Sequence, residues 1–81
     1  MENVEIELKN ALIIIQESVL DQQRKQEFVD SIICLQEELV KAEPQIFLIK
    51  VLLSFLSEVS EIKKELNFIK MSLDLTLDLG Y

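Results

Sequence analysis

The stretch PQIFLIKVLLSFLSEVSEIKKELNFIKMSL, residues 44–73, decides how this chain folds. Its apolar residues Leu48, Leu52, Phe55, Val59, Ile62, Leu66, Ile69 and Leu73 recur at spacings of 4, 3, 4, 3, 4, 3 and 4. That is a heptad register, with Leu52, Val59, Leu66 and Leu73 at a and the other four at d. Pro44 suits a first helical turn, where its missing N–H costs nothing, and it drives Glu43 out of helical geometry. The spacing therefore predicts one uninterrupted helix over 45–71, roughly 40 Å long at 1.5 Å per residue. Up to Leu56 the flanking positions are also apolar, through Ile49 and Val51, which suits a globular bundle. Beyond it Glu58 and Glu65 take g and Lys63 and Lys70 take e, the relation that forms salt bridges between parallel neighbouring helices. The first half is thus expected to pack on its own chain and the second on another copy, with a dimer favoured. The seam and these four charges form the expected oligomer interface.

Working outward, Val4, Leu8, Ala11 and Ile15 mark one face of a helix over residues 3–19, widened by Leu12 and Val19. Phe28, Ile32, Leu35 and Leu39 mark another over 22–43, with Val29, Ile33 and Val40 beside them. Asp21 is the expected N-cap of the second helix. Glu5 with Lys9, Asp21 with Lys25 and Glu37 with Lys41 have the favourable i,i+4 order. The polar run Asp21–Glu27 lacks Gly and Pro, so one long rod is an alternative. The stripe ending at Ile15 would continue through Ser18, Gln22 and Lys25, which is no seam, so a break near 19–23 is favoured.

A chain of 81 residues holds one domain, here 1–81, and one Gly and one Pro leave too few turn residues for a sheet. The expected class is all-α: a short hairpin and a long C-terminal helix, completed as a bundle or coiled coil by self-association. Hydrophobic residues make up 49% of the chain and mean hydropathy is +0.25, more apolar side chain than so small a domain hides alone. Eight Lys and Arg against fifteen Asp and Glu give a charge of -7, which argues against nucleic acid as partner. The longest apolar stretch, 46–56, is too short to cross a bilayer, and the acidic N-terminus is unlike a signal peptide. With a lone Cys34, which allows no internal disulfide, a reducing, cytoplasmic setting is expected.

Catalytic chemistry finds little to work with. There is no His, and a single Gly, Gly80, permits no phosphate loop. Glu2-x-x-Glu5 and Glu58-x-x-Glu61 match the ExxE spacing with which MazG-type pyrophosphohydrolases hold divalent ions. The companion ExxD is missing, because Met71 stands three before Asp74 and Leu75 three before Asp78. One Arg, Arg24, is too few for a chorismate mutase, and the Asp-Ser-Leu attachment site of acyl carrier proteins is absent. The expectation is a protein that is not an enzyme and has no catalytic residue, cofactor or metal site. A carboxylate-metal enzyme built on Glu58 and Glu61 is the competing idea.

The tail from Ser72 to Leu79 alternates with period two, a strand pattern, and resembles the LxLxL repression motif of plant transcriptional regulators. A frayed helix end with its leucines folded on the bundle is the favoured reading of it. Glu38-Leu39-Val40-Lys41-Ala42-Glu43-Pro44, followed by Ile49-Lys50-Val51-Leu52-Leu53 and Leu56, resembles a helix-Pro-helix element of short bacterial abortive-infection and other conflict-system proteins. The resemblance implies a bacterial or phage regulatory module and transfers no catalytic residue. The functional expectation is a helical protein–protein interaction module that acts as a regulatory, adaptor or inhibitor subunit through homo-oligomerisation. The alternative is an obligate or chaperone-like subunit of another protein, for example in a defence or toxin–antitoxin system.

Overall fold

A computed structural model describes residues 2–77 of the chain, with side chains described for 4–74. The first helix, α1, spans Glu2–Gln16 and stops earlier than the expected residue 19. Ser18 ends it, its hydroxyl donating to the Ile15 carbonyl and its backbone N–H bonding the same oxygen. Asp21 then opens α2, Gln22–Leu39, with its carboxylate accepting from the Arg24 N–H at 2.8 Å. That bond satisfies one of the orphan donors every helix start carries. Lys25 reaches across the turn to the Gln16 carbonyl, not back to Asp21. The break between the helices, residues 17–21, overlaps the one expected near 19–23 but begins two residues earlier and lies mostly ahead of the polar run.

The second helix ends at Leu39, four residues short of expectation. Glu38 accounts for the stop. It is buried, with 2% of its surface exposed, and one carboxylate oxygen accepts from the Lys41 ammonium at 2.9 Å. The other accepts from the backbone N–H of Gln45 at 2.8 Å, so a single side chain spans the connection and fixes where the chain re-enters a helix. The ion pair expected for Glu37 is made by its neighbour Glu38. Pro44 sits inside this connection, and the next helix, α3, begins at Ile46 with Gln45 as its cap.

The expected long helix is two helices. α3 covers Ile46–Leu56, and α4 covers Lys63–Leu77 after a 3-10 turn at Ser60–Ile62. Between them Ser57 closes α3, and Val59 is extended at φ -93 and ψ 103. Ser54, Ser57 and Ser60 are weak helix formers that compete for backbone hydrogen bonds, and the Ser57 hydroxyl does so by donating to the Ser54 carbonyl. The break lets α4 fold back beside α3. A rod of 45–71 would have left its far end uncovered. At the chain's end α4 stays helical through Leu77, so no strand forms over 72–77. The last two residues of the alternating tail, 78 and 79, lie outside those described.

Short connections make sequential helices antiparallel. Val4 and Leu8 lie beside Leu39 and Val40, and the Phe28 and Phe55 rings meet with centroids 4.8 Å apart. α1 packs on α2 and α4, α2 on α3, and α3 on α4, closing a ring around one core. Its radius of gyration is 11.9 Å, against about 11.7 Å for a compact domain of this length. Val4, Leu8, Ala11 and Ile15 of α1 and Phe28, Ile32 and Leu35 of α2 fill this core as their periodicity predicts.

Candidate interaction surface

The expected interface divides at the break. Val59, Ile62, Leu66, Ile69 and Leu73 are buried in the core of their own chain, where α1 and α3 cover them. Leu48, Leu52 and Phe55 are only half-buried, and the inward positions of α3 are Ile49, Leu53 and Leu56, one residue further on. The heptad count runs through residues 57–59, which are not helical, so the phase read on one side does not carry to the other. Continued as a straight helix, the inward stripe of α3 would meet Ser60, Lys63 and Asn67. The break instead brings Val59 and Ile62 inward.

The charges of the expected interface are also used differently. Glu58 lies 3.7 Å from Arg24, whose guanidinium stands over the Phe28 ring at 5.4 Å from its centre. Both partners of the ion pair are about half exposed, so it is worth little more than a few tenths of a kcal/mol. Lys63 and Lys70 line a shallow cleft of about 360 Å³ with Ser57, Glu58, Ser60 and Asn67. Glu65 is half-buried on α4. Glu58 and Glu61 do not share a helical face, because the extended Val59 and the 3-10 turn separate their frames. Among the described residues no group of three or more His, Cys, Asp or Glu is placed to hold a metal ion.

Several large apolar side chains remain on the outside. Phe47 is 80% exposed and Val51 46% exposed on α3, and Val40 is exposed just after α2. Ile6 and Ile13 of α1 and Phe68 and Met71 of α4 are further exposed apolar side chains. A groove of about 280 Å³ runs between α1 and α2, floored by Val4, Leu8, Leu39 and Val40 and edged by Glu5, Lys9 and Gln36. Cys34 of α2 is half-buried. No helix of the described residues is long and apolar enough to cross a membrane.

Among the described residues, Glu38 and Lys41 at the α2–α3 turn are the groups shifted from their usual titration. The Lys41 ammonium, and next the Gln45 amide, hold the Glu38 carboxyl below its usual 4.5. Glu38 in turn holds the Lys41 ammonium above its usual 10.5. Both bonds serve the turn, one to each carboxylate oxygen.

Sequence reasoning placed Leu48, Leu52 and Phe55 on a contact surface but did not single out Phe47. The signal was available. Every residue of α3 except Lys50 and Ser54 is apolar, so any inward face leaves another apolar face outside. Comparisons with protein-family models, curated proteins and solved structures find no match to this chain.

Proposed function

We propose that this chain is a non-enzymatic helical interaction module, a regulatory, adaptor or inhibitor subunit that works by associating with copies of itself. The observation that carries the reading is the outer face of α3. Its apolar side chains stay in water although the bundle already has a continuous core beneath them. A helix apolar on nearly all sides is usually one that is buried all round. Contiguous exposed apolar patches larger than a few hundred Å² are a mark of contact surfaces. A reducing, cytoplasmic setting in a bacterial or phage system belongs to the same reading, supported by the lone thiol of Cys34 and by the helix-Pro-helix resemblance.

Sedimentation equilibrium of the purified chain tests it. The expected result is a mass above the 9.4 kDa of one chain that rises with concentration. A mass that stays at one chain up to the highest soluble concentration overturns self-association.

A further inference from the structure

Resting on that reading, we infer that the surface through which two copies associate is the outer face of α3, packed antiparallel against the same helix of a second copy about a two-fold axis through Val51. At about 100° per residue, Val51, Phe55, Leu48 and Leu52 stand roughly 40°, 80°, 100° and 140° round the helix from Phe47. Those five are the only α3 residues in that sector, so a band of about 140° is wholly apolar; Phe47 and Val51 are its exposed members, Leu48 is half-buried, and Leu52 and Phe55 are half-buried against the core of their own chain. Ile49, Leu53 and Leu56 face the opposite way into the core. Lys50 and Ser54 lie beyond the edge of the band next to Phe47.

Charge decides the occupant. Each copy carries -7, so two copies repel wherever their carboxylates meet. The longest stretch of the chain without Asp or Glu is residues 44–57, which contains all of α3. Two bundles can bring these helices to the 8–10 Å of helix packing without facing carboxylates across the contact. A basic partner would be drawn to the acidic faces instead. The same face on a second copy matches this one in length and chemistry, as an isologous contact requires.

The area agrees with a dimer of modest affinity. Phe47 presents roughly 160 Å² and the whole band roughly 350 Å², since a phenylalanine ring and its stem bury about 200 Å² when fully covered. With its rim, each copy covers roughly 500 Å², and the total near 1,000 Å² is the lower limit for a specific interface. Phe47 is the anchor, because large aromatic side chains carry most of the energy of such contacts.

The test compares Phe47→Glu, Val51→Glu and the control Ile13→Glu by sedimentation equilibrium, with circular dichroism to confirm the helical fold of each. All three side chains are substantially exposed in the single chain, so the fold tolerates the changes. The expected result is a wild-type dimer, a dimer for Ile13→Glu, and a weakening of association by a hundredfold or more for both α3 variants. Cross-linking gives a reading independent of variant stability. In a Cys34→Ser background, Val51→Cys joins to its own counterpart through a short bismaleimide, whereas Ile13→Cys does not. A wild-type dimer that survives both α3 changes, or that cross-links at position 13 and not at 51, overturns this face and leaves self-association standing. A wild-type monomer overturns both.

Discussion

Leu66 separates a residue that holds its own chain together from one that holds two chains together. It is 3% exposed and contributes to the single core formed by all four helices. Truncating a buried leucine to alanine costs about 2–5 kcal/mol, through lost transfer energy and the cavity left behind. At roughly 0.05–0.15 kcal/mol per residue, a domain of this length has about 4–12 kcal/mol of stability in all. Leu66→Ala should therefore remove a large share without unfolding every molecule. With a urea m-value of about 1 kcal/mol per molar, a loss near 3 kcal/mol moves the midpoint down by about 3 M. Leu66→Asp adds the penalty for burying a carboxyl group and should leave the chain largely unfolded. The assay is urea unfolding followed by circular dichroism over a hundredfold range of protein concentration. A weak dimer shifts wild type and Leu66→Ala together, so their difference stays constant if the leucine works within one chain. A difference that vanishes at low concentration, or a Leu66→Asp chain that remains a folded monomer, would refute the intrachain role.

Asp21→Ala should cost about 1 kcal/mol, because the α2 start loses the acceptor for the Arg24 N–H; thermal unfolding reads it as a fall of several degrees. Phe28→Ala removes a buried ring and its contact with the Phe55 ring and should cost about 3–5 kcal/mol by the same urea assay. The Glu38–Lys41 pair makes stability pH-dependent on both sides. The carboxyl is harder to protonate in the folded chain than its usual 4.5, so its contribution is complete above that pH and lost as pH falls through the lower folded value. The ammonium is harder to deprotonate than its usual 10.5, so its contribution is complete below that pH and lost as pH rises through the higher folded value. Glu38→Gln should flatten the acid limb of a melting-temperature profile, and an unchanged limb would show that other carboxylates control it.

The first half of the chain was legible because its grammar is local. In α1 Val4, Leu8, Ala11 and Ile15 recur on one face, with Glu5, Glu7, Lys9 and Asn10 between the first three to mark the outside, although Leu12, Ile13 and Ile14 are apolar too. In α2 Phe28, Ile32 and Leu35 do the same, and Asp21 announces the start. Glu38 was not legible as the clasp of the turn, since its partner Gln45 lies seven residues away and the pairing depends on a bend that spacing alone does not reveal. The break at 57–59 left a fainter trace in serines repeated every three residues ahead of the acidic Glu61, a pattern that fits a helix start. The heptad overrode it. Apolar spacing of 4 and 3 continues across a turn as readily as along a helix whenever the turn adds a whole number of residues.

The same ambiguity that hid the break also locates the surface. In α3 two apolar stripes run side by side, Leu48, Leu52 and Phe55 in one and Ile49, Leu53 and Leu56 in the other, and periodicity cannot choose between them. Packing chooses by the turn at Val59, which points the second stripe at the core and leaves the first beside Phe47 and Val51. A helix meant to be covered on one face only would be less costly to keep soluble with polar residues on its other face, as the Gln and Glu residues of α2 illustrate. An aromatic ring at 80% exposure lies where no core demands it. The proposed contact with a second copy would take that ring out of water, and it would use the stripe that periodicity alone cannot distinguish from the inward one.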